Sequence, residues 1–358
     1  ETEWMQHVMV DNTPPVTTNA TGSPHDTVGG RLYVTASTPI WLNTTDTGTT
    51  RCRVGCNYTH YEVWWDSDGD GTVDMSMESG NASSNNVTIF FTEECCHELR
   101  WYGVDYLGNK GAQQNKTYYV DDTHPGVVKT YGSPFYEGAV VSWVTTDWSG
   151  NVSHYINSST NITLSATDPV PCASGVWRIR YCVYWWNMTA SSWDLVSDWE
   201  RYTVPFNLSL STHDGLHCIG IWGLDNLRNE ETWYQYVMVD NTAPVSTKEY
   251  GQPFYVGATV DWSGAGAGFV DHYITSDTPI YLNATDTGGS GVNRTEYYVY
   301  RWDGSAFVVV QGWTVYMGPF SFAGIGDIHE CLHRIIIRSY DNLGNLEVQW
   351  RQHVMVDN

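Results

Sequence analysis

Apolar and polar residues alternate in short runs along the whole chain, and three of these runs are variants of one another. Residues 38–46, 160–168 and 278–286 carry Ile40 and Leu42, Ile162 and Leu164, and Ile280 and Leu282 at alternate positions, and each run ends on Thr-Asp. A period of two puts successive side chains on opposite faces of an extended backbone, so each run predicts a strand with one buried face. An aromatic strand follows in every case, at residues 61–65, 181–186 and 297–302, then a hairpin loop and a returning strand. A further alternating run comes at 87–91, 206–210 and 320–322. The last two strands of each set turn about residues 105–109, 225–229 and 341–345, where Gly and Asn suit positive φ and the Asp can cap the turn. No helical period interrupts the pattern. Roughly seven short strands per hundred residues predict an all-β chain of sandwiches.

The pattern repeats as a whole. Gln-His-Val-Met-Val-Asp-Asn stands at residues 6–12 and again at 352–358, with relatives at 119–125 and 237–244. The intervals from Asp11 to Asp121, Asp240 and Asp357 are 110, 119 and 117 residues, and a fixed period of that length marks a tandem array. The predicted domains are therefore 12–121, 122–240 and 241–358, each large enough for its own core. Residues 1–11 read as the last strand of a preceding domain, either absent or belonging to a neighbour. Glu1, Trp4 and the run from Gln6 to Asn12 are identical to their counterparts in 347–358. That identity predicts either a longer covalent array of such copies or a first strand donated to a neighbour's sandwich.

Three motifs recur at every period: the Asp-Asn-Thr-x-Pro type of junction, the Thr-Asp strand end, and a His-x(7)-Asp-x-x-x-Asn hairpin beginning at His97, His217 and His333. In these the chain resembles the tandem immunoglobulin-like repeats of archaeal and bacterial surface proteins. The resemblance implies three immunoglobulin-like β-sandwiches in an extended array, and a structural role as the repeat unit of an extracellular filament, sheath or surface layer. The alternative it leaves open is an adhesin or carbohydrate-binding stalk.

Charge narrows the partners. A net charge of −23 with 17 basic residues makes binding to nucleic acid or an anionic membrane repulsive and favours cations. Asn-x-Ser/Thr sequons stand at Asn19, Asn43, Asn57, Asn81, Asn86, Asn115, Asn151, Asn157, Asn161, Asn187, Asn207, Asn283 and Asn293, far above chance, and predict N-linked glycans on a secreted or cell-surface protein. No apolar run reaches the length of a membrane span. The expected partners are copies of the chain itself, with glycans or other cell-surface molecules beside them.

The sharpest ligand signal is the hairpin loop at Asp66, Asp68, Asp70, Thr72 and Asp74, where alternating carboxylates and glycines suit one hard cation. A calcium ion there would be structural. Asp11, Asp121 and Asp240 at the junctions are weaker candidates, because each junction segment offers few carboxylates. His329-Glu330-Cys331-Leu332-His333 matches the zincin pattern, but it opens a β-branched strand and lacks the helix that zincin chemistry needs. No nucleophile with its base, phosphate loop or catalytic carboxylate pair occurs, so an enzyme is not expected.

Eight cysteines in such a chain imply disulfides in an oxidising compartment. Alternating strand directions place Cys95 or Cys96 at the exit of the first repeat and Cys172 at the entry of the second, which predicts a Cys95–Cys172 link. The same reasoning pairs Cys331 with Cys52 of a following copy, and Cys182 and Cys218 are expected to pair between neighbouring strands of the second repeat. A Cys52–Cys56 bond with Cys331 left as a thiol is the competing pattern.

Overall fold

The computed structural model describes residues 2–49, 51–83 and 85–358. In the first repeat nine strands form: β1 Val16–Thr21, β2 His25–Val28, β3 Arg31–Val34, β4 Ile40–Thr45, β5 Cys56–Trp65, β6 Met75–Ala82, β7 Asn86–Ile89, β8 Cys95–Asp105 and β9 Gln114–Val120. They make a three-stranded sheet, β1-β4-β7, and a six-stranded sheet, β2-β3-β9-β8-β5-β6. The alternation in β4 buries Ile40, Leu42 and Thr44 and exposes the residues between them. Ile40 and Leu42 pack with Val34, Val63, Phe91, Leu99, Trp101, Tyr118 and Val120 in one core. Burial of that many large apolar side chains, each contributing about 1.5–3 kcal/mol, holds the two sheets together.

The second and third repeats use the same plan with a smaller first sheet. Gly126–Tyr131 pairs with Ile162–Thr167, and Val245–Tyr250 with Ile280–Thr285. Their six-stranded sheets run in the order Phe135–Val144, Ser149–Ile156, Glu230–Val239, Gly215–Asp225, Val176–Asn187, Ser192–Arg201 and Phe254–Asp261, Phe269–Ile274, Trp350–Val356, Cys331–Asp341, Val292–Trp302, Phe307–Val315. All six sheets fall inside the intervals 12–121, 122–240 and 241–358. By internal contacts the residues also group into two compact units, Glu1–Val128 with Leu164–Tyr181 and Ile221–Trp233, and Lys129–Thr163 with Cys182–Gly220 and Tyr234–Asn358.

One expectation is corrected. The runs at 206–210 and 320–322 do not form strands; each makes a single bridge, Phe206 to Ile162 and Phe320 to Ile280. The chain turns at once, with Ser211 N–H donating to the Leu208 carbonyl at 2.8 Å and a 3-10 turn at Ala323–Ile325, while Leu208 and Phe322 plug the core. In the second and third repeats the segments after the first strand, to which the sequence pattern assigned no element, are hairpins at the edge of the large sheets. Their alternation is broken by a register shift between Glu137 and Val141 and another between Val256 and Val260, which hides the strand signal. In the chain by itself residues 2–15 carry no strand, and Trp4 is 95% exposed.

Candidate cation sites at the repeat junctions

The turn that closes each repeat is built first, by local chemistry. Asp105 Oδ1 accepts the Leu107 and Asn109 N–H groups at 2.9 and 2.8 Å, and Asn109 Nδ2 donates to Asp105 Oδ2 at 2.7 Å. Asp225 with Asn229, and Asp341 with Asn345, repeat the arrangement. The same Asn Nδ2 then reaches the carbonyl of the junction aspartate: Asn109 to Asp11 at 3.0 Å, Asn229 to Asp121 at 2.8 Å and Asn345 to Asp240 at 3.0 Å. The turn is thereby locked onto the start of its own repeat.

A third aspartate joins from the strand end. Asp46, Asp168 and Asp286 each hold the N–H of the glycine nine, seven or five residues on, at 2.6–2.7 Å. The junction aspartates hold the preceding N–H: Asp121 Oδ2 takes Ser174 and Asp240 Oδ2 takes Ser290, both at 2.7 Å, and Asp11 Oδ2 takes Val54 at 2.9 Å. Two triads result, Asp121/Asp168/Asp225 and Asp240/Asp286/Asp341, each with one oxygen per residue inside 4.8 Å of the others. Asp11, Asp46 and Asp105 share the framing hydrogen bonds, but among the described residues they do not converge this closely.

Three carboxylates so close, with Asp225 and Asp240 almost wholly buried, repel one another unless protonated or neutralised. Burial first, and then the neighbouring aspartates, push Asp168 and Asp240 up to about 6 and raise Asp121 and Asp286. The donor set fits a hard cation. Asp168 Oδ1 is buried with no hydrogen-bond partner. The hydroxyls of Ser174 and Ser290 are buried too, beside Asp121 and Asp240. Carboxylate and hydroxyl oxygens are what calcium takes.

Several solved structures are similar to the chain at low identity. A structure of a 1.5-MDa bacterial ice-binding adhesin, described for host cell surface retention, shares 12% identity over 97% of this chain and 100% of that one, with a TM-score of 0.37. A tetra-tandem repeat from the extending region of a large adhesion protein shares 14% identity over 97% and 76%, with a TM-score of 0.28. Fibronectin(III)-like modules of Clostridium thermocellum CbhA share 13% over 62% and 93%, with a TM-score of 0.27. No protein-family model and no curated protein matches the sequence.

The loop at Asp66 gathers three of its four aspartates. Asp66, Asp68 and Asp70 converge to within 4.8 Å, but Asp74 is turned to Ser67, accepting its N–H at 2.9 Å and its hydroxyl at 3.0 Å. Asp66 already caps the loop, taking N–H bonds from Gly69, Asp70 and Gly71, and Asp70 takes the Thr72 N–H at 2.7 Å. The two histidines of the zincin-like motif meet neither as a helical pair nor at open space. Asp327 binds both, His329 Nδ1 at 2.7 Å and His333 Nε2 at 3.1 Å, and His333 lies in a strand.

Cys95 and Cys172 are joined, with Cα atoms 4.9 Å apart, a separation ordinary for a disulfide. The expected Cys182–Cys218 bond is absent: both are buried thiols, each set against a tyrosine hydroxyl, Tyr184 for Cys182 and Tyr236 for Cys218. Burial, then the neighbouring Cys182, pushes the Cys218 thiol up to about 12. Cys52, Cys56 and Cys331 are thiols too, so the Cys52–Cys56 pairing is not formed.

The aspartate clusters at the junctions are not visible in any one stretch of sequence. Each aspartate of a triad lies 45 to 60 residues from the next, so no single segment shows the cluster; the signal available was the recurrence of all three aspartates in every repeat. Asn229→Ala removes two hydrogen bonds, one to a buried carboxylate, and should cost about 2 kcal/mol. A urea unfolding curve with an unchanged midpoint would show that the turn does not lock the repeat.

Proposed function

We propose that this chain is a structural repeat unit of an extracellular filament, sheath or surface layer, in which a hard divalent cation, calcium foremost, clamps the entry of the second and third immunoglobulin-like repeats. The observation that carries the reading is the recurrence of one framed aspartate arrangement in every repeat, closing into two triads in each of which two aspartates are buried and one half-buried. An ion held there would tie the junction segment, the first-sheet strand end and the closing turn together, which stiffens a chain of domains without enlarging its cores. The Asp66 loop offers a further exposed cation position on the first repeat.

N-linked glycans belong to this reading at the exposed sequons, Asn43, Asn81, Asn86, Asn115, Asn151, Asn161, Asn207, Asn283 and Asn293. Asn19 is left out of it, because its side chain points inward with Nδ2 buried. No helix is long and apolar enough to cross a membrane among the described residues.

Negative-stain microscopy of the chain in calcium tests the assembly. Fibres or sheets with an axial repeat near three domain lengths are expected. Dispersed monomers that bind a glycan array would replace the filament with an adhesin stalk.

A further inference from the structure

The first repeat holds an amine and a carboxamide in contact across its core. Asn19 is an inward residue of β1, in the small sheet, and Lys116 is an inward residue of β9, in the large one. Lys116 Nζ lies 3.2 Å from Asn19 Oδ1 and 3.3 Å from Thr21 Oγ1. The hydroxyl of Tyr118, which is 0% exposed, donates to the same Asn19 oxygen at 2.8 Å. Asn19 Nδ2 is buried and has no hydrogen-bond partner. Among the described residues Lys116 has no carboxylate within ion-pair distance; it rests against the Tyr118 ring, 5.1 Å from the centroid. Burial lowers its affinity for the proton, which eases the proton loss that nucleophilic attack requires.

The other repeats keep the same two functional groups with the strands exchanged. Counting from Val16, Gly126 and Val245, the Asn19 position of the first strand is held by Lys129 and Lys248. Counting back from Val120, Val239 and Val356, the Lys116 position of the last strand is held by Gln235 and Gln352. Lys129 and Gln235 line one cavity with Tyr131, His154 and Tyr236. Lys248 Nζ is buried without a hydrogen-bond partner, 3.0 Å from the Tyr250 ring centroid. A swap that moves lysine to one strand and a carboxamide to the other preserves the pair and nothing else about either position. The contact itself is made in the first repeat, while in the second Lys129 Nζ bonds the Tyr131 hydroxyl.

We propose that Lys116 and Asn19 form an intramolecular isopeptide bond that joins the first and last strands of the first repeat. The neutral Nζ attacks Asn19 Cγ, and the oxygen that gathers negative charge already accepts the Tyr118 hydroxyl, a donor placed as an oxyanion stabiliser. The Cγ–Nδ2 bond breaks, one Nζ proton passes to the departing nitrogen, and ammonia leaves. The balance is one amine and one carboxamide giving one secondary amide and one ammonia, with no oxidant, metal or added reagent. Tyr118 acts as a positioning and polarising residue, and Asn19 is consumed, which removes it as a glycan acceptor.

The test is mass spectrometry on the whole, reduced chain. The expected intact mass is lower than that of the sequence by at least one ammonia, and the digest contains a branched peptide joining the Asn19 and Lys116 segments. Lys116→Met and Asn19→Ala should each abolish that branched peptide and return one ammonia to the intact mass. Tyr118→Phe keeps the ring in the core and should slow closure on the order of 10²-fold in a time course after refolding. Separate linear peptides carrying unmodified Asn19 and Lys116 in the folded wild-type chain would overturn the proposal, as would a glycan on Asn19. Closure in Tyr118→Phe at the wild-type rate would overturn the role given to the tyrosine. The wild-type measurement needs no variant, so a substitution that fails to fold does not blunt it.

Discussion

Calcium added at a hundred times its Kd to protein stripped of metal should raise unfolding stability by about 2.7 kcal/mol per site at pH 7, and by much less at pH 5. The reason is the aspartate triads. Asp240 is 1% exposed and its carboxyl is pushed up to about 6, by burial first, against an ordinary value of 3.8; Asp168 is moved to a similar value for the same leading reason. A carboxyl whose folded pKa is raised holds its proton longer in the native state than in the unfolded one. Its favourable contribution is complete below about 4 and is lost as pH rises through about 6. For Asp240 two units correspond to about 3 kcal/mol. Above pH 6 the ion takes over the proton's role as counter-charge, and below it proton and ion compete. Urea unfolding at both pH values, with chelator and with calcium, reads the effect. An equal calcium increment at pH 5 and pH 7, or none at either, would remove the cation from the junctions.

The second large effect runs the other way with pH and comes from the cores. His97 and His217 begin the strands that lead to the closing turns and are fully buried. His217 Nδ1 meets the Gly215 carbonyl at 3.1 Å and Nε2 meets the Ser211 hydroxyl at 2.6 Å, an arrangement satisfied by the neutral ring with its proton on Nδ1. Burial, the leading cause, lowers both histidines from 6.5 to about 4. A base with a depressed folded pKa contributes its stability fully above the unfolded value, and that stability is lost as pH falls from about 6.5 towards 4. Each histidine therefore accounts for about 3 kcal/mol over that window. The aspartates partly offset this in the same range, so variants must separate the two. His217→Gln, compared with wild type in chelator between pH 7 and pH 4, should flatten the acid side of the stability profile of the second repeat. Parallel profiles would mean that His217 is not held neutral. His333 is lowered too, but Asp327 binds its Nε2 and the third repeat should resist acid better.

Secondary structure and repetition were legible in the residues because both are local. The period of two in residues 40–45 fixes which side chains turn inward wherever the strand ends up, and Asp-x-x-x-Asn builds its turn from its own atoms. The Cys95–Cys172 link followed from strand direction, which alternates along an antiparallel chain. Where alternation is interrupted the reading failed: the bulge in Phe135–Val144 hid a strand, and the short run after Val204 looked like one but plugs the core through Leu208. Side-chain environment also overrode adjacency at Cys182 and Cys218, each of which faces a tyrosine.

The triads and the Lys116–Asn19 pair belong to the tertiary structure alone. Periodicity says which face of a strand is buried, but not which strand ends meet or which residue stands opposite across the core. Asp121, Asp168 and Asp225 become one site because sandwich connectivity returns three separated strand ends to the same edge. Lys116 and Asn19 touch because the first and last strands of the repeat lie in opposite sheets at matching height. The exchange of lysine and glutamine in the later repeats is written in the sequence, yet it acquires chemical meaning only once those two strands are seen to face each other.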